Sequence, residues 1–199
     1  MRDEILAAGV RLEGHRREVT ILFSDLRDFT PWVESHPAEE VVRDINDYFT
    51  LMEGAIRAHG GLVLQFIGDE IEAVFGAPVE EPRHADNAVA AALDMCRRLE
   101  TWNESRRAAG AIMLRHGIGI HTGEVIAASI GSPERLSYAL VGDPVNLASR
   151  IQGLTKEVGG EVLVSGDTVR RLQDRVALEP LPAVRMKGRM AEVEVYRAA

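Results

Sequence analysis

LVLQFIGDEIEAVFG, residues Leu62–Gly76, is the stretch from which the rest of this chain can be read. Two apolar-rich runs flank Gly68-Asp69, a two-residue turn signal between antiparallel strands. Simple alternation puts Leu62, Leu64 and Phe66 on one face of the first strand, and Val63, Gln65 and Ile67 on the other. Ile71, Ala73 and Phe75 give the second strand an apolar face. The turn therefore fixes a carboxylate, Asp69, at the hairpin tip. Such a turn is ordinary by itself. It gains meaning from a second carboxylate in a similar setting, Asp25, which ends the apolar run EVTILFS (Glu18–Ser24).

Around these two strands the pattern alternates helix and sheet. Leu26–Thr30 turn into Pro31, and a helix follows in two pieces. The longer piece, Ala38–Ala58, carries Val41, Val42, Ile45, Tyr48, Phe49, Met52 and Ile56 at helical spacing and ends at His59-Gly60-Gly61. A second long helix is expected over His84–Ala108, with Ala85, Ala88, Val89, Ala92, Leu93, Cys96 and Leu99 inward. Leu114–His121 and Glu124–Ile130 read as two strands joined at Thr122-Gly123. Asp143–Thr155 reads as a helix with Asp143 as cap and Pro144 in its first turn. A short strand (Val162–Val164), a short helix (Gly166–Leu172) and two strands around the basic Arg185–Arg189 segment complete the chain. This order predicts an α+β fold of the ferredoxin-like βαββαβ type with extra C-terminal strands: a mostly antiparallel sheet with helices on one face. Residues 1–16 read as an N-terminal arm and 17–199 as one domain.

Composition narrows the function. Of 199 residues, 46% are hydrophobic, enough for a sizeable single core. A formal charge of −8 and 5% aromatics argue against nucleic-acid binding. The lone Cys96 falls inside a helical apolar pattern and fits a reducing compartment, so the expected location is the cytoplasm, as a free protein or as the catalytic part of a longer one. No membrane segment is expected, since no apolar run reaches about 18 residues. The six His show no paired metal-ligand spacing.

Asp25 and Asp69 are 44 positions apart, yet βαβ topology can make their strands neighbours. Two adjacent carboxylates repel unless a cation or a proton intervenes. Hard divalent cations remove that cost, and a pair of them can assist in-line displacement at phosphorus. The amides after Asp25 suit a polyphosphate. From the residues alone, two unrelated turn aspartates remain the alternative. Asn146 and Arg150, four apart on a helix, share one face, while Leu147, Ile151 and Leu154 occupy the core side.

FSDLRDFT (Phe23–Thr30), FIGDEIEAVFGAP (Phe66–Pro78), GIGIHTGEV (Gly117–Val125), YALVGDPVNLASR (Tyr138–Arg150) and MKGR (Met186–Arg189) together resemble the class III nucleotidyl cyclase catalytic domain, in order and spacing, over about Arg17–Tyr196. The resemblance implies that Asp25 and Asp69 bind two Mg²⁺ or Mn²⁺ ions, joined by the backbone of Leu26. The backbone through Phe29 and Thr30 would wrap metal and phosphates. Asn146 and Arg150 would orient the ribose and stabilise charge at the reacting phosphate, and Lys187 would reach the terminal phosphates. It also implies a homodimer, in which one chain supplies Asp25 and Asp69 and its partner Gln65, Asn146, Arg150 and Lys187.

The base-reading positions depart from the family. Adenylyl members usually carry Lys where Gln65 stands and Asp or Thr where Ala139 stands; guanylyl members usually carry Glu and a small polar residue. ATP is the expected substrate and cyclic AMP the product, with GTP or a pyrimidine triphosphate as alternatives. A catalytically silent nucleotide-binding or dimerisation module is the reading from a different class. Asp28 stands where glycine is common, either as an exposed turn residue or as a further metal contact. No GGDEF-like segment occurs at the hairpin.

Overall fold

The computed structural model describes residues 14–132, 135–186 and 192–198. Strand β1 (His15–Leu26) is the spine, lying between β3 (Glu70–Phe75) and β4 (His116–Ser132), antiparallel to both. It is apolar on both sides because both its faces are covered. Val19, Ile21 and Phe23 enter one core, while Leu22 enters the other. The sheet runs β2-β3-β1-β4-β6-β10-β7, with β2 (Leu62–Ile67), β6 (Val162–Ser165), β7 (Leu178–Pro180) and β10 (Val195–Ala198); β4 and β6 are parallel and the other pairings antiparallel. Strand β5 (Arg135–Val141) pairs only with β4, and β8 (Val184–Arg185) with β9 (Glu192–Val193) in a separate ribbon.

The helices divide between the two faces, so the expectation of a single covered face is wrong. Helices α1 (Phe29–Ser35), α2 (Ala38–Ala58) and α3 (His84–Ala108) serve one core, where Tyr48, Met52, Ile56, Val89 and Met95 meet Leu22, Ile71, Phe75, Ile118 and Ile120. Helix α4 (Asp143–Val158) lies on the other face, burying Leu147 and Ile151 against Leu163 and Val195; the short α5 (Gly166–Val169) follows β6. The GIGI segment explains how α4 docks. Ile118 and Ile120 point to the first core, while Gly117 and Gly119 leave the opposite face bare. A Cβ at Gly119 would lie 2.1 Å from the Gln152 nitrogen, and one at Gly117 would lie 2.1 Å from Thr155 Oγ1. The helix backbone rests directly on the strand.

Four further differences separate the structure from the sequence reading. Thr122-Gly123 is not a turn: β4 runs straight through it, and Gly123 is there because a Cβ would lie 2.6 Å from Pro144 Cγ. The true partner of this long strand, β5, is absent from the sequence reading. Helix α4 starts with Gly142 rather than Asp143 at the cap position. Lastly, the β2–β3 register shifts between Val63 and Gln65. This bulge turns Phe66 to the helix side, where it stacks on Phe49 at 4.2 Å, and leaves Gln65 opposite Glu72. Phe66 therefore does not share a face with Leu62 and Leu64.

Gly119→Ala should lower stability by about 1–3 kcal/mol, because the methyl group meets helix backbone that cannot rotate away. Urea unfolding measures this, and a midpoint equal to wild type would contradict the docking described here.

Candidate active site

The β1–β3 ladder pairs Ser24 with Ile71, so the next residue on β1, Asp25, emerges beside the turn that carries Asp69. The two carboxyls interact directly. Burial is the main reason that Asp69 is pushed up to about 6, and the charge of Asp25 and a hydrogen bond with it add to the effect. Glu70 is pushed up to about 7, again chiefly by burial, then by Asp25, Glu72 and Asp69. This end of the sheet thus holds more negative charge than its surroundings accommodate, and a cation relieves it.

One cation is supplied by the chain itself. Lys156, in the last turn of α4, donates from Nζ to Asp25 Oδ2 at 2.7 Å, and this hydrogen bond raises its own pKa. Arg27 ties the same end of the helix down, donating to the carbonyls of Thr155 and Gly160. Sequence reasoning missed Lys156, since a lysine near a helix C-terminus is ordinary dipole chemistry. Only the docking of α4 on Gly117 and Gly119 brings it to Asp25.

Behind Asp25 a buried polar chain holds the strand end in place. Ser24 Oγ lies 3.1 Å from Tyr48 OH, Tyr48 OH lies 3.1 Å from His116 Nδ1, and His116 Nε2 lies 3.5 Å from Cys96 Sγ. Burial drives His116 down to about 3 and Cys96 up to about 12, so both are neutral near pH 7. Asp28 adopts a left-handed conformation (φ 58°) at the cap of α1, and its exposed carboxylate accepts from Arg115 Nη2 at 3.0 Å. That partner makes it a turn residue with an ion pair.

Asn146 and Arg150 lie one turn apart on α4, both exposed, and neither makes a side-chain hydrogen bond or ion pair with another described residue. They do not join the acid pair of their own chain. Arg150 stands six residues before Lys156, which is about 9 Å along the helix axis and about 120° around it. For Asn146 the axial separation is about 15 Å. Gln65 is exposed on β2 and donates from Nε2 to Glu72 Oε2 at 2.6 Å; Ala139 is half-buried on β5. Leu26 is buried, Phe29 half-buried and Thr30 exposed on the segment that follows Asp25. Lys187 lies outside the described residues.

Two carboxylates and nearby main-chain carbonyls form a hard-oxygen donor set, which fits Mg²⁺ or Mn²⁺. Among the described residues, no group of three or more His, Cys, Asp or Glu side chains is arranged as a metal site. Other ligands would therefore come from the main chain, water or a phosphate. No helix among the described residues is long and apolar enough to cross a membrane.

Comparison with known proteins identifies the family and the fold. The family model described as the adenylate and guanylate cyclase catalytic domain matches residues 13–197. Adenylate cyclase 1 of Rhizobium meliloti (strain 1021) is 42% identical over 181 residues, covering 91% of this chain and 27% of that protein. Adenylate cyclase of Anabaena cylindrica is 35% identical, covering 90% of this chain and 36% of that protein. The chain thus spans about a quarter to a third of these relatives. Among solved structures, guanylyl cyclase Cya2 superposes with a TM-score of 0.88 at 40% identity, covering 94% of each chain. Adenylyl cyclase CyaB of P. aeruginosa superposes with the same score at 28% identity, covering 94% of this chain and 96% of the other.

The raised proton affinity of Asp69 gives a stability test. An acid whose pKa rises on folding loses stability as pH climbs from its unfolded value to its folded one. In EDTA, the Asp69→Asn protein should gain melting temperature over wild type as pH rises from about 4 to about 6, and then hold that gain. A difference independent of pH would show that Asp69 is not crowded.

Proposed function

Because the chain belongs to the adenylate and guanylate cyclase catalytic-domain family, we propose that it converts ATP to 3′,5′-cyclic AMP and pyrophosphate at a site shared by two copies of the chain. The ribose 3′-oxygen forms a bond to the α-phosphorus while the bond from that phosphorus to the bridging oxygen of the leaving pyrophosphate breaks. The 3′-hydroxyl proton passes to solvent. The observation that carries this reading is the crowded Asp25–Asp69 pair, in which burial and the neighbouring Asp25 raise the proton affinity of Asp69.

In this reading Asp25 and Asp69, with the Leu26 carbonyl, hold two divalent cations. When bound, Mg²⁺ or Mn²⁺ would polarise the phosphate oxygens and lower the cost of ionising the 3′-hydroxyl. The backbone through Phe29 and Thr30 follows the triphosphate. Arg150 offers planar, permanently charged donors to the α-phosphoryl oxygens, and its lack of any partner among the described residues leaves it available. Asn146, one turn away, orients the ribose, and Lys187 is assigned to the terminal phosphates. Gln65 and Ala139 face the base. No residue needs to act as a nucleophile, since positioning and electrostatics supply the acceleration.

The spacing along α4 supports a dimer in this reading: its Lys156 end reaches the acid pair of the same chain, and Asn146 and Arg150, farther up the helix, are assigned to the acid pair of a second copy. Half-exposed Ile130, Leu136 and Val141 on the β4–β5 arm offer apolar surface for that contact. GTP is the second reading, favoured by the 40% identity to guanylyl cyclase Cya2. Incubating the protein with each triphosphate and Mn²⁺, then identifying the cyclic product, separates the two.

Asp25→Ala and Arg150→Ala should each be inactive. Mixed together they should recover roughly a quarter of wild-type activity, because half the dimers then hold one intact site. No recovery from folded, dimeric variants would contradict the shared site.

A further inference from the structure

Glu72 is an unusual residue for its place. It lies on β3 between Ile71 and Ala73, is 5% exposed, and belongs to a strand whose neighbours are apolar. A buried carboxyl is costly unless something is gained from it. Burial pushes Glu72 upward, and the hydrogen bond from Gln65 pulls it back. The Gln65 amide is its one side-chain hydrogen-bond partner among the described residues, at 2.6 Å. That contact exists because of the bulge. Without the extra residue between Val63 and Gln65, strict alternation would turn Gln65 to the opposite face of the sheet.

The chemistry of the pair is one-directional. In the structure the amide nitrogen of Gln65 donates to a carboxyl oxygen of Glu72, and this contact fixes which way the amide points. The carbonyl oxygen of Gln65 is then held on the side away from Glu72. Ala139, the other residue assigned to the base, offers no side-chain polar atom to compete with it. We propose that Glu72 is the positioning residue for base choice, holding Gln65 so that it presents a fixed hydrogen-bond acceptor to the nucleotide. This inference rests on the cyclase reading above and deepens it.

A fixed acceptor matches a base edge bearing an amino group, as in adenine and cytosine. It opposes the 6-oxo group of guanine and the 4-oxo group of uracil. A neutral side chain at position 72 would release this constraint, because a glutamine there can donate as well as accept, and a methionine does neither usefully. A hydrogen bond that merely staples the β2–β3 hairpin would have a different signature. Its loss would lower stability, and activity on every nucleotide would fall together.

The test compares wild type, Glu72→Gln and Glu72→Met by kcat/KM for ATP and GTP with Mn²⁺. Displacement of a fluorescent ATP analogue by ATP, CTP, GTP and UTP gives the binding ratios independently of turnover. Wild type should favour ATP and CTP. Both variants should narrow the ATP:GTP ratio about fivefold, through opposite changes in KM for the two nucleotides. In a Gln65→Leu background, Glu72→Gln should leave the ratio unchanged. An unaltered ratio in both folded variants, or a wild type that binds GTP more tightly than ATP, would overturn the assignment. Selective binding without any cyclic product would instead support the role of Glu72 and sink the cyclase reading alone.

Discussion

Two acids are forced together where the sheet ends. β1 and β3 are hydrogen-bonded in a register that leaves Asp25 no choice but to emerge beside the hairpin tip, and the tip is a two-residue turn with no slack for Asp69 to retreat. The five residue pairs of this ladder are all buried, so the cohesion of the sheet outweighs the local repulsion. The cost of that repulsion is visible in the raised proton affinity of Asp69 and Glu70. Proteins keep such unfavourable clusters where a function depends on them. Here the neutral Ser24–Tyr48–His116 chain stiffens the strand behind the acids, and Lys156 partly offsets their charge.

Helix α4 links this cluster to the rest of the chemistry. Its position is set by two glycines on β4, which let its backbone approach the strand more closely than any side chain would allow. That approach delivers Lys156 to Asp25 of the same chain, and holds Asn146 and Arg150 farther up the helix, exposed and unpartnered by the described residues. In the proposed dimer one rigid element would serve two sites, and a closed two-fold arrangement would make both equivalent.

Much of this was legible in the sequence, and the parts that were not share a cause. Periodicity located the long helices at Ala38–Ala58 and His84–Ala108, and Gly68-Asp69 announced its turn, because these signals are local. Asp25 and Asp69 stood out as acids ending apolar runs. The errors fall where a glycine or a bulge answers to something distant. Gly123 reads as a turn but makes room for Pro144; Gly117 and Gly119 read as ordinary strand residues but seat a helix on the second face. The extra residue before Gln65 is invisible to an alternation rule, though it decides which face Phe66 and Gln65 occupy. Lys156 and Glu72 carried only a weak signal: a basic residue in a last helical turn and an acid inside an otherwise apolar strand.

The proposed chemistry requires that Asp25 and Asp69 bind a pair of divalent ions together with a triphosphate. Titrating Mn²⁺ into the dimer with 3′-deoxy-ATP, which lacks the attacking hydroxyl, and counting bound ions by electron paramagnetic resonance tests it most directly. Two spin-coupled ions are expected for each bound nucleotide. One ion per nucleotide, or two that show no magnetic interaction, would contradict the proposed chemistry.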